Sequence, residues 1–182
     1  MILRLNACAN RIEIVNADDG EIVAAAAKAD TSNVVINTLD GNDTLTIDES
    51  NGLANVPGGI QYDGGAGEDS LRLVGTTPVS ATYSVGPDAG SGAVVHTITA
   101  EIGAASQNVR FHNLEPVIDL VPGPLTVNAT AAANAINFNT GPNSGTSAVG
   151  GAASGQVQID NFESIEFANK TDVTINALAG SD

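Results

Sequence analysis

Apolar and polar residues alternate in short runs along most of the chain. Arg11–Val15 reads RIEIV, Thr44–Asp48 reads TLTID and Ser70–Val74 reads SLRLV. A period of two puts one face of a strand in a core and the other in water. The pattern predicts strands at Arg11–Val15, Val34–Asn37, Thr44–Asp48, Gly59–Tyr62, Ser70–Val74, Ala81–Val85 and Val94–Thr99. Six more follow at Asn108–Phe111, Leu125–Asn128, Ala135–Phe138, Gln156–Ile159, Ser164–Phe167 and Asp172–Asn176. Glu21–Ala29 (EIVAAAAKA) stays open between helix and strand, since alanine favours helix but the run is short for one. The Gly/Ser/Ala tract Thr140–Gly155 reads as a flexible loop.

The chain also copies itself. Val109–Ala129 (VRFHNLEPVIDLVPGPLTVNA) matches Val157–Ala177 (VQIDNFESIEFANKTDVTINA) at a shift of 48 residues without a gap. The match keeps Asn113/Asn161, Glu115/Glu163 and Asn128/Asn176 as well as the aliphatic positions. Asn37–Asp48 matches Asn128–Asn139 at a shift of 91, and Val173–Asp182 (VTINALAGSD) matches Val34–Asp43 (VVINTLDGND). The last copy stops inside the unit, as a fragment of a longer chain would. Short strands in repeated units predict an all-β fold. The expected architecture is a parallel β-helix or β-solenoid, one repeat module over residues 1–182. A β-sandwich is the alternative, and the two differ in strand pairing: parallel between coils or antiparallel.

Composition narrows the core. Aromatics make up only 3% of the 182 residues and Trp is absent, so Val, Ile, Leu and Ala must fill it. The formal net charge is −15, from 21 acidic and 6 scattered basic residues. Without a basic face to displace counterions from phosphates, no nucleic-acid partner is expected. No run approaches the ~20 apolar residues of a membrane-spanning helix, so no membrane insertion is expected either. Cations are the natural small partners of such a surface. The single cysteine, Cys8, rules out a disulfide within the chain and is expected to be a small buried apolar residue.

One turn carries a recognisable chemistry. Gly64–Arg72 reads GGAGEDSLR, which fits the nonapeptide G-G-x-G-x-D-x-U-x at every position, U being a large aliphatic residue. It resembles the calcium-binding repeats of RTX toxins and hemolysin-type proteins, and their degenerate versions in large bacterial surface and adhesin-like proteins. The resemblance implies Asp69 as a carboxylate ligand, Gly64 and Gly67 as turn carbonyl donors, and Leu71 as a core residue. Weaker copies imply Asp43 with Gly41, and Asp182 with Gly180. Ca²⁺ takes six to eight oxygens from carboxylates and carbonyls, so the residue types suit it. The nonapeptides here stand apart instead of in tandem, which implies a weak site, with Kd in the ~10⁻⁴ to 10⁻³ M range of extracellular modules.

The acidic turn NADDGE (Asp18, Asp19, Glu21) misses the EF-hand spacing and reads as a polar turn. Glu115 and Glu163 recur at matching repeat positions, which points to architecture and away from a catalytic pair. Recurrent Asn37, Asn128 and Asn176 at strand ends suggest a ladder of side-chain hydrogen bonds between stacked units. The expected function is therefore structural or adhesive, in a secreted or cell-surface bacterial protein, and not enzymatic. Its partners would be neighbouring repeats of the same long chain and a cell-surface or polysaccharide ligand. The alternatives are a carbohydrate-active β-helix enzyme (lyase or glycosidase), disfavoured by the scarcity of aromatic platforms for sugar rings, and a ligand-free β-sandwich domain of a surface protein.

Overall fold

In the computed structural model, which describes residues 1–99, 104–140 and 154–179, the chain is all-β. The strands are β1 (Ile2–Leu5), β2 (Arg11–Val15), β3 (Ile22–Ala27), β4 (Val34–Asn37), β5 (Thr44–Asp48), β6 (Ile60–Asp63), β7 (Ser70–Val74) and β8 (Ser80–Val85). They continue as β9 (Gly92–Ile98), β10 (Ala105–His112), β11 (Val117–Asp119), β12 (Gly123–Asn128), β13 (Ile136–Thr140), β14 (Gly155–Ile159), β15 (Ile165–Phe167) and β16 (Lys170–Asn176). Each predicted strand is present. The Ala-rich run that sequence left open is strand β3, followed by a single 3-10 turn at Lys28–Asp30. Most of the expected loop, residues 141–153, lies outside the described residues.

The strands form two open mixed sheets. The first runs β13-β14-β15-β11-β7-β5-β1-β2-β3 and the second β16-β12-β8-β9-β10-β6-β4. Parallel pairs dominate the middle of the first sheet, where β1, β5, β7, β11 and β15 stack as neighbours. Antiparallel pairs close its ends, β1-β2-β3 and β13-β14-β15. In the second sheet β9 alone runs against its neighbours. Leu3, Leu45, Leu71 and Ile165 from the first sheet and Ile60, Tyr62, Val94 and Leu125 from the second share one core between them. Each such side chain, nearly fully buried, contributes about 1.5–3 kcal/mol by leaving water.

Register shows what the repeats mean. Val117 lies opposite Ile165, and Thr126, Val127 and Asn128 lie opposite Thr174, Ile175 and Asn176, all at the shift of 48 read from sequence. Asn176 Nδ2 donates to Asn128 Oδ1 (2.8 Å), and Asn128 Nδ2 to Ser84 Oγ (3.2 Å), so the expected asparagine ladder forms there. The first part of the same repeat does not stack. Val109–Phe111 lie in β10 of the second sheet, and Val157–Ile159 in β14 of the first. Both stretches bury alternate residues against the same core, so the hydrophobic pattern survives although the sheet changes.

Cys8 corrects an expectation: it is exposed, in the turn between β1 and β2. The turn is held by backbone bonds to Asn6, which leave the thiol no core to enter.

Candidate functional site

The Gly/Asp turns lie directly on one another. β5 pairs with β7 at a shift of 26 residues, so Leu45 faces Leu71 and the turn Asp40–Asp43 sits against Ala66–Asp69. Gly41 N–H donates to Ala66 O, and Ala66 N–H to Leu39 O (both 2.9 Å). The Asn42 side chain accepts from Glu68 N–H (3.0 Å). Asp69 Oδ1 accepts from Asp43 N–H (2.8 Å), and Asp43 O from Ser70 N–H (2.8 Å).

The glycines have a steric reason. A Cβ on Gly67 would stand 1.7 Å from Gly41 O, and one on Gly64 would stand 2.4 Å from Asn113 O. Gly41 and Gly67 also hold φ of +141° and +142°, which glycine adopts freely. The turns are thus pressed backbone to backbone, and only glycine fits between them. Gly64 O accepts from the Thr38 hydroxyl (2.7 Å), so this carbonyl is engaged across the stack.

Sequence reasoning separated two sets of acids that register unites. Leu45, Leu71, Val117 and Ile165 are successive neighbours. Two residues before them stand Asp43, Asp69, Glu115 and Glu163, one acid per rung. The shared pattern is acid-x-aliphatic: DTL, DSL, EPV, ESI. Glu115 N–H donates to Asp69 O (2.6 Å), which joins the second rung to the third. Asp69 and Glu163 are the buried members; Asp69 is at 0% exposure, and its Oδ2 has no hydrogen-bond partner among the described residues. Burial pushes the Glu163 carboxyl up to about 7, and the neighbouring Glu115 and Glu166 charges add to the rise. Burial likewise raises the Tyr62 hydroxyl, with Asp69 contributing.

Among the described residues no group of three or more His, Cys, Asp or Glu side chains is arranged to hold a metal. A calcium ion at Asp69 would therefore depend on main-chain oxygens for most of its shell. The orphaned Asp69 Oδ2 is the one feature of the corner that fits a cation. Gly180 and Asp182 lie outside the described residues.

A second polar array was not visible in sequence. Inside the molecule, His96 (β9) lies between Glu49, which follows β5, and Asp119 (β11). Its Nδ1 is 2.8 Å from Glu49 Oε1, and its Nε2 is 3.2 Å from Asp119 Oδ2. Lys170 Nζ reaches Asp119 Oδ2 at 2.7 Å, and Gln107 Nε2 donates to Glu49 Oε1 at 2.6 Å. Exposure of the four charged side chains is 3% or less. Burial alone would lower the His96 pKa, but the Asp119 and Glu49 carboxylates override it and lift it to about 9. Burial would raise Asp119, but His96 and then Lys170 hold it below the usual carboxylate range. With His96 protonated, two anions and two cations balance. The array binds β9, β10, β11, β16 and the segment after β5 into one unit.

Comparison with protein-family models, with curated proteins and with solved structures gave no match.

Proposed function

We propose that the chain is a structural or adhesive repeat module of a secreted or cell-surface bacterial protein, built as a β-solenoid and stabilised by weak calcium binding at its Gly/Asp corner. The observation that carries this reading is the in-register stacking of the acid-x-aliphatic turns, with a buried Asp69 oxygen left without a partner. Parallel neighbours β1, β5, β7, β11 and β15 favour coils over a sandwich, because consecutive coils of a solenoid meet in parallel. Repetition of this kind creates length and surface, suited to neighbouring repeats along a long chain and to a cell-surface or polysaccharide ligand. No helix among the described residues is long and apolar enough to cross a membrane.

Thermal unfolding with Ca²⁺, Mg²⁺ or EDTA tests the ion site. Ca²⁺ at ten times its Kd adds about 1.4 kcal/mol, a midpoint rise of roughly 3–6 °C for a chain of this size. The rise is specific to Ca²⁺ and disappears in Asp69→Ala. Equal midpoints in all three conditions contradict calcium at the corner.

A further inference from the structure

We propose that the two ends of this molecule are complementary and that one copy stacks head-to-tail on a second, β16 of one pairing in parallel with β4 of the next. The stacked-rung reading underlies this proposal, which is independent of calcium.

The edge strands point to it first. The second sheet ends in β4 and β16, the first in β3 and β13. Following the pairings across each sheet, β4 and β16 run in the same direction, and so do β3 and β13. Opposite ends of two copies can therefore meet in the same sense. Natural edge strands are usually guarded by charge, proline or bulges. β3 (IVAAAA), β4 (VVIN) and β13 (INFNT) carry no charged residue; the two charges of β16, Lys170 turned inward to Asp119 and the exposed Asp172, both precede its V-x-I-N segment.

Exposed apolar residues mark the same two ends. Apart from Met1, the large hydrophobic residues exposed among those described are Ile22, Val23, Val35, Leu39, Phe138 and Leu178. All lie on the four edge strands or on the turns that follow them. At one end Ile12, Ile14, Ala24, Ala26 and Val34 wall an apolar groove between β3 and β4.

Register supplies the independent argument. β16 and its turn repeat β4 and its turn in sequence, V-x-I-N-x-L, and in backbone: Leu39 and Leu178 both adopt left-handed φ, 71° and 63°. Inside the chain, matched copies of this strand stack in register and join through asparagines. The N–H groups of Val34 and of Thr38, just after β4, donate to Gly59 O and Asp63 O on the β6 side, so those of Val35 and Asn37 face the free edge. On β16 the carbonyl of Asn176 faces β12, so Val173 and Ile175 face the other free edge. A parallel ladder seats each edge-facing residue between two of its partner's. Val35 then falls between Val173 and Ile175 of a second copy, opposite Thr174. That is the register the sequence match itself requires. It brings Asn37 beside Asn176 and extends the ladder Ser84–Asn128–Asn176 by one step. Such a contact leaves one end free on each side, so growth continues beyond a dimer.

Sedimentation velocity of the 182-residue chain, from micromolar to near-millimolar concentration, reads the association directly. A series of species growing with concentration is expected. Val35→Pro removes one edge-facing N–H from an exposed residue and should weaken association by about tenfold or more with its circular dichroism unchanged. The double variant Val35→Lys/Thr174→Lys places like charges opposite and should associate less than Val35→Lys/Thr174→Glu, which places opposite charges there. A chain monomeric throughout the range overturns the proposal, whether or not its internal rungs are stacked. Association indifferent to the charge pair overturns the head-to-tail register.

Discussion

The acidic corner and the buried charge network are both polar arrays in an otherwise aliphatic molecule, yet they are satisfied in different ways. In the corner, each turn's backbone fills the next turn's hydrogen bonds, and glycine makes the close approach possible. One acid per rung repeats, and like charges accumulate: Asp43, Asp69, Glu115, Glu163. In the network, side chains of opposite sign from unrelated positions neutralise one another without contact with water. Local repetition therefore builds an edge that collects charge, whereas tertiary convergence builds a clamp that cancels it. The first leaves a buried carboxylate oxygen of Asp69 without a partner; the second already contains its own cations.

Removing one member separates these cases most sharply in the network. Asp119→Ala leaves the His96 imidazolium and the Lys170 ammonium buried without their shared anion. A loss of about 3–5 kcal/mol is expected in chemical denaturation at pH 6. The wild type carries a pH signature of the same pairing. The His96 pKa is raised from 6.5 to about 9, so its contribution is complete below pH 6.5 and is lost as pH rises through about 9. Asp119 is lowered from 3.8, so its contribution holds above that value and is lost as pH falls through the lowered one. Asp119→Ala should flatten the alkaline limb. An unchanged limb would mean that His96 is not paired as described.

The corner predicts a smaller effect of opposite sign. The Glu163 pKa is raised from 4.5 to about 7, so its contribution favours folding below 4.5 and fades as pH rises through 7. Glu163→Gln removes that loss. It should stabilise the protein at pH 8 by about 1 kcal/mol or less, since solvent screens part of the interaction. Destabilisation at pH 8 would show that burial and the neighbouring acids do not disfavour the Glu163 carboxylate.

Much of the first array was legible in sequence. GGAGEDSLR and LDGND located the turns, and period-two alternation placed β5 and β7. Two things were readable but passed over: the spacing of 26 residues between Asp43 and Asp69, and the acid-x-aliphatic triplet that adds Glu115 and Glu163. The network left no trace, because Glu49, His96, Gln107, Asp119 and Lys170 follow no period and meet only through the sheet order. The 48-residue repeat was half informative. Its polar and aliphatic positions are preserved in both parts, but alternation records only which side of a strand is buried and not which sheet it joins. The same limit explains β3: its residues are exposed on both faces, so no alternation marks it. Cys8 was misplaced because the usual burial of free cysteines carries no information about a tight turn.

The central claim is that turns 26 residues apart are adjacent rungs. Thr44 and Ser70 stand opposite one another in the ladder with hydroxyl oxygens 2.9 Å apart. With Cys8→Ser as background, Thr44→Cys/Ser70→Cys should form an intramolecular disulfide under mild oxidation, read by mass spectrometry. Thr44→Cys/Arg72→Cys, one step out of register, should not. Equal cross-linking of both pairs, or none of either, would contradict the stacked rungs.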